Sequence, residues 1–403
     1  MSDPLENFLT GIHRQVSKVP VENAFSEYGL GQNPFPPNRT ITPDVIYGQD
    51  NNVHRFLSTC VEIFSANEPQ RRAVAVVAGT GGGKSHFLRY CQNAFPKLSS
   101  KYEQRFVLSE FIAGSGKMID LIRTILRDTD LFCRDLDSCD FLVALVRQLK
   151  SDQSHLEHIK QPDVRTCLKK LCAAAVAKDN SLEYMLVTAR KWINAEALSQ
   201  TEKKQLGIVS RLTTPAMAVQ VLKELFVLAR KVQLFEGLFL CIDEIESLFT
   251  RGMSPSQITA FLQDIRYFYD ESVRDNEGFD LLLLTASTTT GASNLLRFNP
   301  PIFQRFGYER ENRLLLTQIA SAVEAVDFSY KYVDHFADKW RETKPKAKAT
   351  KSARAIISAK EIESAFVTAS AGGPAAAPGS LLDRLHNTVQ DKFSDSTQQD
   401  ISN

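Results

Sequence analysis

The chain has 403 residues, enough for two or three domains with a substantial buried core. Its 43% hydrophobic and 24% charged content is ordinary for a globular protein in water, and a net charge of +1 excludes a wholesale electrostatic pull toward nucleic acid or membrane, leaving any such surface to a local patch. No apolar run approaches a membrane-spanning length, MSDPLENF carries no basic-then-apolar leader, and seven cysteines without CxxC or zinc spacing point to reduced, buried thiols in a cytoplasmic protein.

Residues 1–30 carry Leu5, Phe8, Leu9, Ile12 and Val16 at helical spacing, which predicts an amphipathic helix that packs on the core or docks elsewhere. Asn33-Pro34-Phe35-Pro36-Pro37-Asn38 breaks regular structure. Tyr47-Gly48-Gln49 leads into a helix through Val53, Phe56, Leu57, Cys60, Val61 and Phe64. A short apolar-Gly segment at this distance before a phosphate loop either walls a nucleotide base or is simply the entry to a helix.

Arg72 to Ala78 reads as a short buried strand, followed by Gly79-Thr80-Gly81-Gly82-Gly83-Lys84-Ser85 and a helix from His86. Strand, glycine loop, Lys-Ser and helix make up the phosphate-binding P-loop. Glycines let successive N–H groups turn inward on phosphate oxygens, and the helix start adds partial positive charge. The segment from Gly79 to His86 is thus the expected nucleotide contact, with Lys84 on the β- and γ-phosphates and the Ser85 hydroxyl on Mg²⁺. One position departs from the usual spacing: Ala78 stands where glycine is expected.

Arg105 to Phe111 predicts a second strand, and from Met118 to about Val232 the pattern is helical throughout. His155 and His158 within it have metal-compatible spacing, yet no further ligands accompany them, and a solvated helix end is the better reading. Gly237 to Ile242 is a buried strand that ends in Asp243-Glu244. Acids at the carboxyl end of such a strand sit where open α/β sheets present ligand groups. Asp243 is the expected Mg²⁺ holder and Glu244 the expected general base for the attacking water. A helix over Pro255–Ser272 precedes another buried strand, Phe279 to Ala286, which ends in Ser287-Thr288-Thr289-Thr290. A hydroxyl there either senses the γ-phosphate or caps the next helix. Arg313 to Thr317 predicts a fifth strand, and helices follow at 320–340, 359–369 and 381–393. Between them, Lys339, Arg341, Lys344, Lys346, Lys348, Lys351 and Arg354 stand against one acid, Glu342, as a solvated linker or a strip facing DNA or a partner.

This order of elements, with PPIFQRFG before the fifth strand and a helical segment after it, resembles the AAA+ ATPases, especially the replication-origin initiators. The resemblance implies an α/β fold: a three-layer αβα P-loop core with a five-stranded parallel sheet over 46–318, a helical insertion at about 117–232, and a helical lid over 319–393. A helical arm (1–45) precedes these, and a disordered tail (394–403) follows. By the same resemblance Ser287 or Thr288 matches sensor 1, and Arg305 matches the arginine finger that reaches a neighbouring subunit's γ-phosphate. Arg384 is then the candidate for sensor 2, and Tyr47-Gly48 lies on the adenine side, with Gln49 where arginine is often found. A narrower stretch, Lys191-Trp192-Ile193-Asn194-Ala195-Glu196, then Leu206-Gly207-Ile208 and the run into IDEIESL, is similar to ATP-binding proteins of BREX-type phage-defence islands.

Two functions follow as expectations. One is an ATPase that uses Mg²⁺ and ATP as a homo-oligomer to remodel or load onto DNA or a protein partner. The other is an ATP-gated switch that controls a partner nuclease or methyltransferase with little turnover. Neither involves a membrane.

Overall fold

The computed structural model describes residues 22–37, 44–274, 277–309, 311–371 and 373–399. The helix expected around Leu5 to Val16 lies outside them. The chain divides into two compact units: one made of 49–79 and 87–316, the other of the residues up to Gly48, Thr80–His86 and the residues from Thr317 onward.

The larger unit is built on five strands, β1 (Arg71–Val77), β2 (Phe106–Ile112), β3 (Gly237–Asp243), β4 (Asp280–Ser287) and β5 (Arg313–Leu315). All pair in parallel, in the order β2-β3-β4-β1-β5. β3 and β4 are buried along their whole length, which is why they read as unbroken apolar runs rather than alternating ones. Alternation still sorts their side chains between two faces. Leu238, Leu240 and Ile242 join a cluster with Leu121, Ile125, Phe261 and Ile265 on one side. Phe239 goes to the other, stacked on Phe95 at 4.5 Å and tilted on Phe56 at 5.9 Å. The helix Asp50–Phe64 and the body of Lys84–Ser99 therefore cover one face, and the helices Met118–Asp137 and Pro255–Ser272 the other, giving three layers. β5 ends two residues earlier than expected; Leu316 donates one more bond, to Val77 O at 3.0 Å, before the chain leaves the sheet.

The segment between β2 and β3 is helical, as its periodicity predicts: Met118–Asp137, Phe141–Leu149, Pro162–Ala177, Leu182–Ile193, Gln200–Leu206 and Pro215–Lys231. Its apolar side chains belong to the same continuous cluster as the sheet. A buried ion pair, Lys223 Nζ to Glu271 Oε2 at 2.9 Å, ties its last helix to Pro255–Ser272.

The other unit has a core of its own, formed by Phe25, Leu30, Phe35, Phe328, Tyr332, Leu381, Leu385 and Val389 among others. Its helices are Ala322–Thr343, Ala359–Ala369 and Pro378–Gln399. The closing helix corrects the expectation of an irregular tail from 394, because it continues to Gln399; residues 400–403 lie outside the described set. The Asn33 amide donates to His386 O at 3.1 Å, and the His386 ring donates from Nδ1 to Phe35 O at 2.7 Å, so the Asn33–Pro37 loop is pinned to that helix.

Candidate functional site

β1 delivers the chain to the phosphate loop. Val77 pairs with Ser287, and Ala78 extends the ladder by donating its N–H to Ser287 O at 3.4 Å. Ala78 is buried and is absent from the residues with positive φ. It continues the strand's direction by one residue past Val77 rather than joining the turn, so a methyl group is accommodated where the usual pattern has glycine. The turn needs glycine further on, at Gly81 (φ +72°) and Gly83 (φ +85°). Around Gly83 a Cβ would meet nothing within 4 Å, so backbone conformation alone demands glycine there.

Lys84 opens the helix Lys84–Ser99, and the N–H groups of such a first turn lack partners within the helix. Lys84 is half-buried and Ser85 exposed. In the unit that holds Thr80–His86, Gly379 N–H donates to Gly81 O at 3.1 Å, at the start of the closing helix. The His86 ring lies 2.6 Å from Val45 O through Nε2; a carbonyl only accepts, so Nε2 carries the proton. Burial lowers the His86 pKa below its usual 6.5, so at pH 7 the ring adds no charge to the loop.

Asp243 ends β3 opposite Ile112 and is 7% exposed. Its Oδ1 accepts the N–H of Glu244 at 2.7 Å. Glu244 turns the chain out of the sheet with φ +55°, rare for a glutamate, after which Ile245 N–H returns to Ala286 O in β4 at 3.1 Å. β1, β3 and β4 run parallel, so Ala78-Gly79, Asp243-Glu244 and Ser287-Thr288 all emerge at the same edge of the sheet. A hard carboxylate on a rigid strand end suits Mg²⁺, which takes one or two protein oxygens and completes its shell with water and phosphate. Among the described residues no group of three or more His, Cys, Asp and Glu could cage a metal, His155 and His158 included. Those two lie in a short 3-10 turn, His155 beside Asp152 at 3.7 Å.

Of the two sensor candidates, Thr288 is the cap: its Oγ1 accepts Gly291 N–H at 3.0 Å and starts the helix Thr289–Phe298. Glu246 braces the same corner by accepting Thr288 N–H at 3.0 Å. Ser287 is fully buried. Its hydroxyl is close enough to the Tyr308 phenol to oppose the strong upward push of burial on that group, yet neither oxygen has a partner at hydrogen-bonding geometry among the described residues.

Arg305 ends the helix Pro300–Arg305 and is not brought to this edge. Its Nε donates to both oxygens of Asp270, at 2.9 and 3.0 Å, and the same Asp270 backbone carbonyl accepts from Arg71, the first residue of β1, at 2.5 Å. β1 is seven residues long, so Arg305 lies near the amino end of a strand whose carboxyl end, about 20 Å away, leads to the phosphate loop. The carboxylate engages Nε; among the described residues the terminal fork that phosphate recognition uses donates to Pro301 O, at 3.4 Å.

Tyr47 packs edge-on against Phe328 at 5.4 Å, under Lys331, and burial with a hydrogen bond to Asp327 raises its phenol to about 12. Gly48, at φ +65°, accepts the Thr317 hydroxyl at 3.2 Å through its carbonyl. Arg384 is exposed on the closing helix. In the basic strip, Lys339, Arg341, Lys351 and Arg354 pair with Asp44, Asp338, Glu27 and Asp334 at 2.5–3.2 Å.

Two residues escaped the sequence reading: Asp270, which holds Arg305, and Arg251, whose Nη2 donates to Glu244 Oε2 at 3.2 Å. Neither falls in a motif. Only the helix spacing of Asp270 and the seven-residue offset of Arg251 from Glu244 hint at them.

No curated protein matches the chain. Among solved structures it is similar to the ORC2 protein of Aeropyrum pernix in ADPNP–ADP complexes, at 12% identity and TM-score 0.44, covering 89% of this chain and 72% of that one. It is similar also to the ORC1 protein of Aeropyrum pernix in complex with DNA, at 13% identity and TM-score 0.43, covering 89% and 66%. Likenesses of this size carry no argument about function. The model of the family described as BREX system ATP-binding protein BrxC/D matches residues 122–358. With the P-loop in place and more than half of its length matched, the chain belongs to this family of ATP-binding BREX proteins.

Proposed function

We propose that the chain hydrolyses Mg-ATP and that its site is completed by a second copy. The observation that supports this best is Asp243-Glu244 at the sheet edge where β1 also ends, one acid buried and the other about half exposed. Gly79 to Ser85 hold the phosphates, Lys84 neutralises the β- and γ-oxygens, and Ser85 with Asp243 holds Mg²⁺. Glu244 takes the proton of the attacking water, and Ser287 lies under the same edge. Tyr47, Gly48 and Arg384 are proposed for the base and sensor roles on the strength of the AAA+ resemblance.

Arg305 supports the oligomeric half of the proposal by its distance. A cation at the amino end of β1 cannot serve a phosphate at the carboxyl end of the same sheet, so the role proposed for it is toward a neighbour's. The work done with the ATP is remodelling or loading of a protein or DNA partner in phage defence. A protein partner is favoured over DNA, because four of the seven basic residues in 339–354 are already paired with acids of their own chain. Glu244→Gln is the test: ATP binding stays within about two-fold while turnover falls by about 10²–10⁴, and wild-type turnover per subunit rises with protein concentration. Unimpaired turnover in Glu244→Gln would sink the assignment of the base.

A second reading, an ATP-gated switch with little turnover, draws support from one contact: the base is engaged by Arg251 rather than presented to solvent alone. A switch of this kind keeps its partner fully active in the Glu244→Gln chain.

A further inference from the structure

Glu244 is held by a fitted piece of structure. Gly114 lies in the turn Ala113–Ser115 that follows β2. A Cβ on Gly114 would stand 2.3 Å from Nη1 and 2.6 Å from Cζ of Arg251. Gly114 has no positive φ, so its backbone does not require glycine; the guanidinium requires the space. Two residues on, a Cβ at Gly116 would stand 2.3 Å from Sδ of Met253. The segment from Ser247 to Met253 is therefore seated on the β2 turn through two missing methyl groups, and that seating delivers Arg251 to the Glu244 carboxylate at 3.2 Å. Both side chains are about half exposed, 55% for Arg251 and 47% for Glu244. Salt and competing anions can therefore reach the pair and open it.

We propose that Arg251 is a positioning residue that latches the base. While the pair is closed, the carboxylate needed as proton acceptor is turned to the guanidinium, and hydrolysis proceeds from the open form. This rests on Glu244 being the base. The Gly114 slot sets how much of the time the latch is closed.

Steady-state ATP turnover on the full chain, at saturating protein concentration, tests it with Arg251→Ala, Gly114→Ala and Glu244→Gln. An exposed pair of this kind shifts the open fraction modestly, so Arg251→Ala raises kcat about two- to five-fold with KM for ATP unchanged. Gly114→Ala moves kcat the same way, because the added methyl displaces a flexible guanidinium without removing it. Raising salt from about 50 to about 500 mM lifts wild-type kcat toward that of Arg251→Ala, since screening weakens the pair only where it exists. The latch is overturned if Arg251→Ala binds ATP normally but turns over no faster than wild type, or if the gap between them ignores salt. Should Arg251→Ala fail to fold, the Gly114→Ala and wild-type salt arms decide alone: no rise in either rejects the latch. Loss of turnover in Glu244→Gln without a gain in Arg251→Ala rejects the latch and keeps the base, whereas full turnover in Glu244→Gln rejects the base itself.

Discussion

Asp280, the first residue of β4, is a costly buried carboxylate: 3% exposed, its Oδ1 accepting Gln70 N–H at 2.6 Å and Arg230 at 4.0 Å. Burial raises its pKa from 3.8 to about 6. A folded-state value above the unfolded one means the folded chain binds the proton more tightly between about pH 4 and 6. The group's contribution to stability is complete below about pH 4 and is lost as pH rises through 6. Asparagine keeps the oxygen that Gln70 uses and never ionises. Asp280→Asn is therefore more stable than wild type at pH 7, by roughly 1–3 kcal/mol, and the difference shrinks to nothing near pH 4. Urea midpoints across that range measure it, and a difference indifferent to pH would contradict the account. Burial has a simpler consequence for the cysteines, pushing Cys133 and Cys167 up to about 12 and Cys172 up to about 11, so these thiols are inert near neutral pH.

Among the elements, the corner after β4 shows how a hydroxyl that reads as a sensor can be spent on structure. Thr288 Oγ1 caps the helix Thr289–Phe298, so Thr288→Ala loses about 1 kcal/mol in a urea melt and Thr288→Ser recovers most of it; an unchanged midpoint in Thr288→Ala would dismiss the cap. The strands were legible because a parallel sheet covered on both faces leaves unbroken apolar runs, and four of the five begin and end within a residue of their sequence-based limits. The phosphate loop and Asp243-Glu244 stood out in the sequence because the chemistry proposed for them requires fixed residue types at fixed neighbours. What escaped were contacts that close through space. Arg251 reaches Glu244 only because Gly114 lacks a side chain, and nothing local in either segment announces the other. Lys351 and Lys339 find Glu27 and Asp44 from more than 290 residues away, so a strip that reads as uncompensated positive charge is largely paired. The closing helix ran past 394 because composition suggested disorder where no proline or glycine actually stops a helix.

For the whole molecule, the helical insertion shares one apolar cluster with the sheet, so any signal it receives acts on a body that already carries Asp243 and Glu244. Arg305 is the residue on which the proposed assembly turns. It sits with Asp270 at the far end of β1 from the phosphate loop, and a phosphoryl-transfer site that lacks such a cation is slower by about 10³-fold or more. Arg305→Ala and Glu244→Gln are each inactive for different reasons in a shared site: the first has a base but no arginine to lend, the second an arginine but no base. In a head-to-tail assembly of equal parts, about a quarter of interfaces join an intact base to an intact arginine. Mixing the two purified variants one to one and measuring ATP turnover tests the shared site directly. The account predicts recovery to about a quarter of the wild-type rate. A mixture no more active than the sum of its two parts would contradict it.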